Sequence, residues 1–404
     1  MLDTQGGLVR TGHVEDAPVV VYVQQMLDRA VEVQASDLHF EPYEQRYRVR
    51  MRIDGQLHDM DDAPLAFRDR LAARIKVMAR LDVAEKRLPQ DGRIRLPVGG
   101  ERHLDLRVST LPTLFGEKVV IRVLDARSGQ LDLAQLGYEK DDLARLESAI
   151  RSPHGMVLVS GPTGAGKTQS LYACLNQLNT SAVNIATVED PCEIQMPGIN
   201  QVNVQDKPGL GFAVALRAFL RQDPDILMVG EIRDLETAQI AVQAAQTGHL
   251  VLSTLHTNDA PSTLVRLRNM GVANYNIASS VTLITAQRLV RQLCPACKKP
   301  QDLPGSELAQ AGWATATSTD TYTVYAPVGC SACHKGFRGR TGLFQVMPVS
   351  TALQALILQD ASSLELSRQA RQEGLSSLRE AGLRKVLAGV TSFDEVLAAT
   401  RSEA

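Results

Sequence analysis

A glycine-rich loop near the middle of the chain has the residue types and spacing of a phosphate-binding site. Residues 161–168 match the pattern Gly-x-x-x-x-Gly-Lys-Ser/Thr. Glycines let backbone N–H groups surround phosphate oxygens, and the lysine reaches the β- and γ-phosphates. Thr168 is expected to coordinate Mg²⁺. A short apolar segment (156–160) precedes the loop and a helical segment (169–178) follows it. We predict an ATP–Mg²⁺ site whose loop residues are Gly161, Pro162, Thr163, Gly164, Ala165, Gly166, Lys167 and Thr168.

Carboxylates follow two further short apolar segments. Glu189 and Asp190 end the segment that begins at residue 184, and Glu231 follows residues 226–229 after one intervening glycine. That glycine occupies the place of the usual Walker B aspartate. Glu231 is therefore better placed to orient or deprotonate the attacking water, or to hold Mg²⁺ through water, than to bind the metal directly. A structural glutamate paired with an arginine, and a solvated turn before Pro191, are the alternatives.

These acidic residues are expected to meet at one edge of a sheet. The carboxyl ends of strands in an open α/β sheet form its ligand edge. Three carboxylates and a triphosphate would repel one another there unless Mg²⁺ and arginines neutralised them. His256 follows another apolar segment, residues 250–254. It is either a structural histidine or a group that senses the γ-phosphate and stabilises leaving charge.

Four of the six cysteines form two Cys-x-x-Cys pairs. In a reducing cytosol such pairs indicate a metal site rather than two disulfides. Two knuckles of this kind complete a tetrahedral four-sulfur shell around Zn²⁺ with no open position, so the predicted role is structural. Two unlinked free pairs are the alternative. The predicted zinc ligands are Cys294, Cys297, Cys330 and Cys333.

Composition and charge narrow the function classes. The net charge of −2 gives no global attraction to nucleic acid or to anionic membranes. Residues 66–107 are rich in arginine and lysine, but they include acidic residues and lack the interleaved aromatics that stack on bases. We expect a solvated or subunit-facing surface there and no direct nucleic-acid binding. No apolar run has the length of a membrane span, and acidic residues near the start argue against a signal peptide. We expect a cytoplasmic protein that reaches a membrane through partners.

The order of segments predicts two domains. A flexible tail (1–14) precedes an α+β domain (15–125), and a linker (126–133) leads to an α/β domain (134–404). Short buried strands alternate with helices in the second domain, which is typical of a parallel sheet covered on both faces. Within that domain we expect a four-cysteine subdomain at 290–345, irregular over residues 301–323, and a helical tail at 346–404.

Four longer segments carry a resemblance to a known family. They are Ser-Asp-Leu-His-Phe-Glu-Pro at 36–42, Thr-Val-Glu-Asp-Pro at 187–191, the run from Phe219 to Ala238, and Thr-Gly-His-Leu-Val-Leu-Ser-Thr-Leu-His-Thr-Asn at 247–258. With the loop and the cysteine pairs, they resemble the secretion ATPases of type II secretion and type IV pilus systems. The chain as a whole resembles the type IV pilus assembly (extension) ATPases of the PilB/GspE type, and residues 198–203 and 244–248 look more like the PilB-like pilus assembly ATPases than like the type II secretion ones.

The resemblance implies a RecA-like P-loop NTPase domain preceded by an N2-like domain. It also implies a homohexameric ring that hydrolyses ATP to power pilin polymerisation. The ring would work with an inner-membrane platform protein, at the cytoplasmic face of the bacterial inner membrane. Arg107 and Arg122 would reach the nucleotide once the first domain closes, and Arg217 and Arg233 would act at subunit boundaries. Surface ion pairing is the alternative for each arginine.

Two departures from the family pattern leave points open. Few residues precede Ser36, where the family usually has a further N-terminal module that docks to a membrane partner or binds a cyclic dinucleotide, so the resemblance does not by itself imply recruitment to the membrane or control by cyclic dinucleotides. Gln345 stands where the family usually has glutamate. The alternative functions are a type II secretion pseudopilus ATPase, a DNA-translocating RecA-like motor, and a nucleotide-gated scaffold with little turnover.

Overall fold

The computed structural model describes residues 17–97, 103–124, 132–205, 207–313, 315, 317 and 319–400. The chain divides into two compact units, Met1–Ala126 and Arg127–Ala404. The tail predicted at 1–14 lies outside the described residues, as does most of the linker predicted at 126–133.

The first unit is built on an antiparallel sheet of six strands, in the order β3-β2-β1-β6-β5-β4. Two helices accompany it. Its elements in chain order are α1 (Ala17–Glu32), β1 (Asp37–Pro42), β2 (Tyr47–Ile53), β3 (Gln56–Asp59), α2 (Arg68–Met78), β4 (Gln90–Pro97), β5 (His103–Thr113) and β6 (Gly116–Leu124).

Strict alternation along the strands gives this sheet one apolar and one charged face. In β2, Val49 and Met51 are fully buried, while Arg48, Arg50 and Arg52 alternate with the buried residues and point the other way. Period-2 alternation of this kind is typical of a sheet with one covered face. Leu71 and Ile75 of α2 belong to the same apolar cluster as Val49 and Met51. The covered face of the sheet therefore forms the core of the unit.

Helix α2 is shorter than the sequence pattern predicts. The pattern favours helix over residues 66–83, but the helix ends at Met78. Arg80 has a φ of 57°, and the Leu81 amide donates to the carbonyl of Lys76. A residue in the left-handed region directly after a helix is a common terminator, which explains the early end.

The second unit contains a seven-stranded sheet in the order β15-β12-β7-β11-β10-β8-β9, in which β15 is Phe337–Pro348. Its strands pair in parallel, except that β15 runs antiparallel to β12. The elements up to β12 are α3 (Lys140–Ile150), β7 (Gly155–Ser160), α4 (Lys167–Leu178), β8 (Ile185–Glu189), β9 (Asn200–Asn203), α5 (Phe212–Phe219), β10 (Ile226–Val229), α6 (Leu235–Gln246), β11 (Leu250–Leu255), α7 (Ala260–Asn269), α8 (Asn274–Ser280) and β12 (Val281–Leu293).

Both faces of this sheet are covered. Met156 and Leu158 of β7 pack into one apolar cluster, whereas Val157 and Val159 pack into a second one. Successive side chains of a strand point to opposite faces, so β7 lies between two cores. The solvent-accessible charged groups are therefore expected at the ends of the strands, where the loops emerge.

Part of the segment between the two cysteine pairs forms regular structure, so the irregular structure expected over 301–323 is wrong for residues 301–310 and 321–323. Strands β13 (Lys299–Pro304) and β14 (Thr321–Ala326) form a hairpin-like pair around the short helix α9 (Gly305–Gln310). Leu303, Leu308 and Val324 share an apolar cluster with Leu383 and Val396 of the C-terminal helices. The polar local sequence hides this order because the stabilising partners lie far along the chain.

Strand β15 (Phe337–Pro348) leads to the predicted helical tail. The tail contains α10 (Thr351–Leu358), α11 (Ser363–Gln372), α12 (Leu378–Leu387) and α13 (Phe393–Ala399). A serine caps the start of each helix by accepting a backbone N–H bond, and two of them form complete capping boxes. Among the helices of the described residues, none has the length and apolarity to cross a membrane.

Candidate nucleotide-binding site

The glycine-rich loop joins the end of β7 to the start of α4 and lies against β12. Gly161 has a φ of 148°, and a Cβ there would come within 2.6 Å of the carbonyl oxygen of Gln287. Gly166 has a φ of 86° and is the N-cap residue that directly precedes α4. A side chain at Gly161 would collide with β12, and a side chain at Gly166 would strain the backbone. The glycines thus let the loop close around a small anion beside the N-terminus of α4.

Lys167 is held inside this loop. Its Nζ donates to the carbonyl oxygens of Gly161 at 2.8 Å and Pro162 at 3.1 Å. Burial lowers the pKa of the ammonium, and Glu231 partly opposes that effect. The ammonium of Lys167 has three N–H donors, and a phosphate oxygen in the loop would compete with the two carbonyl oxygens for them. The lysine is therefore already positioned to bind an anion in the loop.

The loop has a polar support that the sequence analysis missed. Gln287 of β12 is buried, its Nε2 donates to the Ala165 carbonyl at 2.7 Å, and its Oε1 accepts from the Ser170 hydroxyl at 2.8 Å. The available signal was a glutamine that directly follows the largely apolar residues 281–286. Its contact with the loop depends on the pairing of β12 with β7, which joins Ala286 to Ser160.

Glu231, Arg233, His256 and Asp190 form one charged cluster beyond the ends of β10, β11 and β8. Arg233 pairs with Glu231 and lies 3.6 Å from Asp190. Nε2 of His256 lies 3.2 Å from the second oxygen of Glu231. The structure thus brings together four residues that the sequence analysis proposed separately. The arginine offsets the repulsion between the carboxylates, as the charge argument requires.

The glycine before Glu231 has a steric reason. Gly230 donates its N–H to the carbonyl of Val188 at 2.8 Å, and a Cβ on it would lie 3.3 Å from that oxygen and 3.4 Å from the Cα of Glu189. An aspartate here would crowd the neighbouring strand. The first residue after β10 is therefore a glycine, and the carboxylate is carried by the next residue, Glu231.

Glu189 lies in a different environment from the charged cluster. It is 3% exposed. One carboxylate oxygen accepts from Thr187 at 2.7 Å and from Gln201 at 3.3 Å, and the other accepts from the hydroxyl of Tyr172 on α4. Burial and the adjacent carboxylate raise the pKa of Tyr172. In this geometry Glu189 ties the helix of the glycine-rich loop to the turn that carries Asp190.

In the first unit, strand register places Arg107 and Arg122 side by side. Asp37 of β1 faces Arg52 of β2 and Arg122 of β6, and Arg122 faces Arg107 of β5. Directly paired residues share a face, so these four groups form one row across the sheet, here named the arginine row. Asp37 is buried and accepts from Nε of Arg122 at 3.0 Å. Nε of Arg52 lies 3.6 Å from the same carboxylate.

The remaining predicted arginine, Arg217, lies on α5. It pairs with Glu236 of α6 at 2.7 Å, and both side chains are exposed. The two exposed partners match the surface ion pair that the sequence analysis kept as an alternative.

The four paired cysteines converge, and their sulfur atoms all lie within 4.8 Å of one another. Three of the Sγ–Sγ distances are 3.9 Å (Cys294–Cys330), 3.7 Å (Cys297–Cys333) and 3.6 Å (Cys330–Cys333). Tetrahedral Zn²⁺ with bonds of about 2.3 Å separates its sulfur ligands by roughly 3.8 Å. The four thiols therefore fit a closed zinc site. For Mg²⁺, the hydroxyl of Thr168 in the first turn of α4 is an oxygen donor of the kind that the ion prefers.

Comparison with known proteins agrees with this geometry. Residues 13–398 match the family described as "Type II/IV secretion system protein". The chain is 52% identical over 391 residues to the type IV pilus assembly ATPase PilB of Pseudomonas aeruginosa, covering 97% of this chain and 69% of that protein. It is 49% identical over 390 residues to the type II secretion system protein E of the same organism, covering 96% of this chain and 77% of that protein.

A solved structure confirms the fold. The Legionella pneumophila ATPase DotB superposes with a TM-score of 0.68 at 20% identity, covering 93% of this chain and 94% of that one. At this identity the likeness concerns the fold alone. The predicted RecA-like α/β architecture is confirmed.

Proposed function

This chain belongs to the type II/IV secretion system protein family and is an ATP-hydrolysing enzyme; we propose that it is a motor that powers pilin polymerisation in type IV pilus assembly. The observation that carries the enzymatic part is the placement of Glu231, with Arg233 and His256, beyond the end of β10 in the sheet that holds the glycine-rich loop. The pilus role is supported by 52% identity to a pilus assembly ATPase.

The residues of the site divide the chemistry among them. Lys167 and the loop amides hold the phosphates, and Thr168 would hold Mg²⁺, which supplies charge neutralisation and polarises the phosphoryl oxygens when bound. Glu231 orients the attacking water and accepts its proton. For that step Glu231 must exchange its contact with Arg233 for a contact with water. Arg233 would then be available for phosphate or for a neighbouring subunit.

Assembly and location are part of the same proposal. A homohexameric ring at the cytoplasmic face of the inner membrane, working with a membrane platform protein, agrees with the family to which the chain belongs. Arg107 and Arg122 would supply positive charge to the phosphate tail, and Arg217 and Arg233 would act where subunits meet. The open, charged face that carries the arginine row supports this role.

The cysteine cluster completes the proposal. Cys294, Cys297, Cys330 and Cys333 would hold one Zn²⁺ in a closed shell, and the ion would join the strand end at β12 to the loop before β15. Because all four positions are filled by protein sulfur, the ion would stabilise this region and take no part in hydrolysis.

The pilus role is tested in the native host. Deleting the gene should remove surface pili while type II secretion continues, and the wild-type gene should restore pili where the Lys167→Ala gene does not. Loss of secretion with normal pili would support the alternative, which the 49% identity to a type II secretion protein E keeps open. Normal pili and normal secretion would contradict both. DNA-stimulated, salt-sensitive turnover by the purified protein would instead indicate a DNA motor.

A further inference from the structure

The side chain of Gln287 links the glycine-rich loop to the helix that follows it. Gln287 is 1% exposed and both ends of its amide are used. Nε2 donates to the carbonyl of Ala165, and Oε1 accepts from the hydroxyl of Ser170 on α4. The second bond fixes which end of the amide faces the loop. Glutamine suits this place because its amide offers a donor and an acceptor without carrying charge.

The bond to Ala165 controls a neighbouring donor through peptide geometry. A trans peptide is planar, so its C=O and N–H point in opposite directions. The carbonyl of Ala165 and the N–H of Gly166 belong to the same peptide unit. Because the carbonyl points at Gln287, the Gly166 N–H points away from β12. In loops of this pattern the backbone N–H groups are the ones that bind phosphate oxygens.

Glycine at position 166 makes this orientation easy to lose. Its φ of 86° lies in the left-handed region, and a residue without Cβ rotates between several backbone conformations at little cost. A Cβ on Gly166 would lie 3.3 Å from Nε2 of Gln287, so β12 approaches the loop closely here. A flexible peptide beside a fixed strand needs a specific contact to hold one orientation.

We propose that Gln287 is a positioning residue for nucleotide binding, which holds the Ala165–Gly166 peptide with its N–H directed at the phosphate site. It acts through the loop backbone and need not touch the nucleotide. Removing its donor leaves the Ala165 carbonyl without this partner and lets the peptide rotate. The main effect therefore falls on the affinity for nucleotide.

The neighbouring strand offers a matched control. Gln345 of β15 is also buried, and it faces Ala286, the residue before Gln287. Its Oε1 accepts from the backbone N–H of Ala260 at the start of α7, at 2.8 Å. The two glutamines thus share residue type, burial and sheet, but Gln345 bonds to α7 and Gln287 bonds to the glycine-rich loop.

The experiment compares Gln287→Met and Gln287→Glu with Gln345→Met and Gln345→Glu in the purified full chain. Steady-state turnover, binding of a fluorescent ADP with Mg²⁺, and thermal unfolding are measured for each. Gln287→Met should raise KM and the ADP dissociation constant about 10-fold, the size expected for a lost hydrogen bond that orients a binding group, with a smaller change in kcat. Gln345→Met should lower thermal stability while leaving KM within about 2-fold.

The Gln287→Glu variant provides a measurement, the pH dependence of ADP affinity, that would not change if Gln287 had only a structural role. An ionised carboxylate at 287 would place a negatively charged oxygen beside the carbonyl oxygen of Ala165, and the two acceptors would repel each other. A protonated carboxyl can instead donate its O–H to that carbonyl. Burial raises the pKa of such a carboxyl, so ADP affinity of Gln287→Glu should recover as the pH falls from 8 to 6, relative to wild type. Gln345→Glu should follow wild type.

Two further variants keep the proposal falsifiable if Gln287→Met does not fold. Ser170→Ala frees the amide to rotate and should raise KM by about 3-fold; added to Gln287→Glu it should cost little more, because the two residues act as a unit. The proposal is overturned if Ser170→Ala leaves KM unchanged and the ADP affinity of Gln287→Glu follows the wild-type pH profile. It is also overturned if Gln287→Met and Gln345→Met raise KM equally.

Discussion

The two large sheets of this chain carry their functional residues in different places. The antiparallel sheet of the first unit has one covered face, and its other face holds the arginine row of Arg52, Asp37, Arg122 and Arg107. The sheet of the second unit is covered on both faces, so its charged functional groups lie at strand ends, and polar side chains within its strands, such as Gln287 and Gln345, are buried and hydrogen-bonded. Sheet type thus decides whether function can occupy a face or only an edge.

The two regions differ in their exposure to solvent, and therefore in how strongly their charged groups interact. Arg122 and Arg107 have side-chain exposures of 59% and 41%, whereas Lys167 is 9% exposed and Gln287 1%. Water and salt screen the exposed charges, so each contributes little by itself. The groups around the glycine-rich loop, at the strand ends of the second sheet, interact at short range in a lower dielectric, so the interaction energy of each group is larger. Substitutions of the charged groups at the edge, Lys167 and Glu231, should therefore lower turnover more than substitutions in the row.

The largest effect on turnover is expected at Lys167, in the glycine-rich loop. Lys167→Ala removes the cation that the loop holds against its own carbonyls, and we expect turnover to fall by about 10³-fold or more, with weaker nucleotide binding. Steady-state phosphate release and binding of a fluorescent ATP analogue measure the two effects. Lys140→Ala, at an exposed lysine on α3, is the matched control. A Lys167→Ala protein with near-normal turnover would remove the basis of the comparison.

Glu231→Gln should separate binding from hydrolysis. The amide keeps the shape and part of the hydrogen bonding but cannot accept a proton from water, so turnover should fall by about 10²–10³-fold while ATP affinity stays within a few-fold. Binding and single-turnover measurements on the same preparation distinguish the two quantities. Normal hydrolysis by this variant would show that the water is activated elsewhere, with Glu189 the next carboxylate to test.

Removing the proposed zinc should change stability more than chemistry. Cys330→Ser should abolish metal binding, which metal analysis would measure as about one Zn²⁺ per chain in the wild type, and should lower the thermal unfolding temperature. Residual turnover per folded molecule should stay near the wild-type value. Cys174→Ala, at a buried thiol whose pKa burial raises to about 12, should keep the metal. Equal metal content in both variants would contradict the site.

A smaller effect on turnover is expected in the arginine row. Arg122→Ala should lower kcat by about 10-fold or more if this arginine supplies charge to the transition state. Asp37→Asn, which weakens the acceptor for Arg122, should lower kcat by about 3-fold. Arg48→Ala is the control, because Arg48 lies on the same sheet and pairs with Asp59 outside the row. If all three variants behave alike in turnover assays, the row is only a surface ion-pair network.

The smallest effect concerns acid stability of the first unit. Burial by itself would raise the pKa of Glu41, but the hydrogen bonds and charges of Arg50 and Lys118 outweigh it and lower the pKa to about 2. A carboxyl whose pKa is depressed on folding stabilises the fold above its unfolded value of 4.5, and this contribution is lost as the pH falls from 4.5 towards 2. Glu41→Gln should therefore reduce the pH dependence of unfolding in that range. An unchanged slope in denaturant titrations would contradict this assignment.

Much of the site could be predicted because contiguous residues determine it. The loop at 161–168, the carboxylate at 231 and the paired cysteines each depend on spacing within a few residues and on the backbone that this spacing permits. The same holds for the alternation that separates the two faces of β2 and for the serine caps of the C-terminal helices. Local chain geometry is enough to infer all of these.

Other features depend on residues that only folding brings together. Gln287 lies 122 positions from Ala165, and Asp37 lies 85 positions from Arg122. Their contacts follow from which strands pair and in which register, and a shift of one residue would turn each side chain to the opposite face. The burial of Glu189 against Tyr172 and the ordered hairpin between the cysteine pairs likewise need distant partners. The sequence by itself determined the chemistry that the chain can perform, and the tertiary structure decided which groups support that chemistry, because hydrogen bonds between distant segments exist only after the core has aligned them.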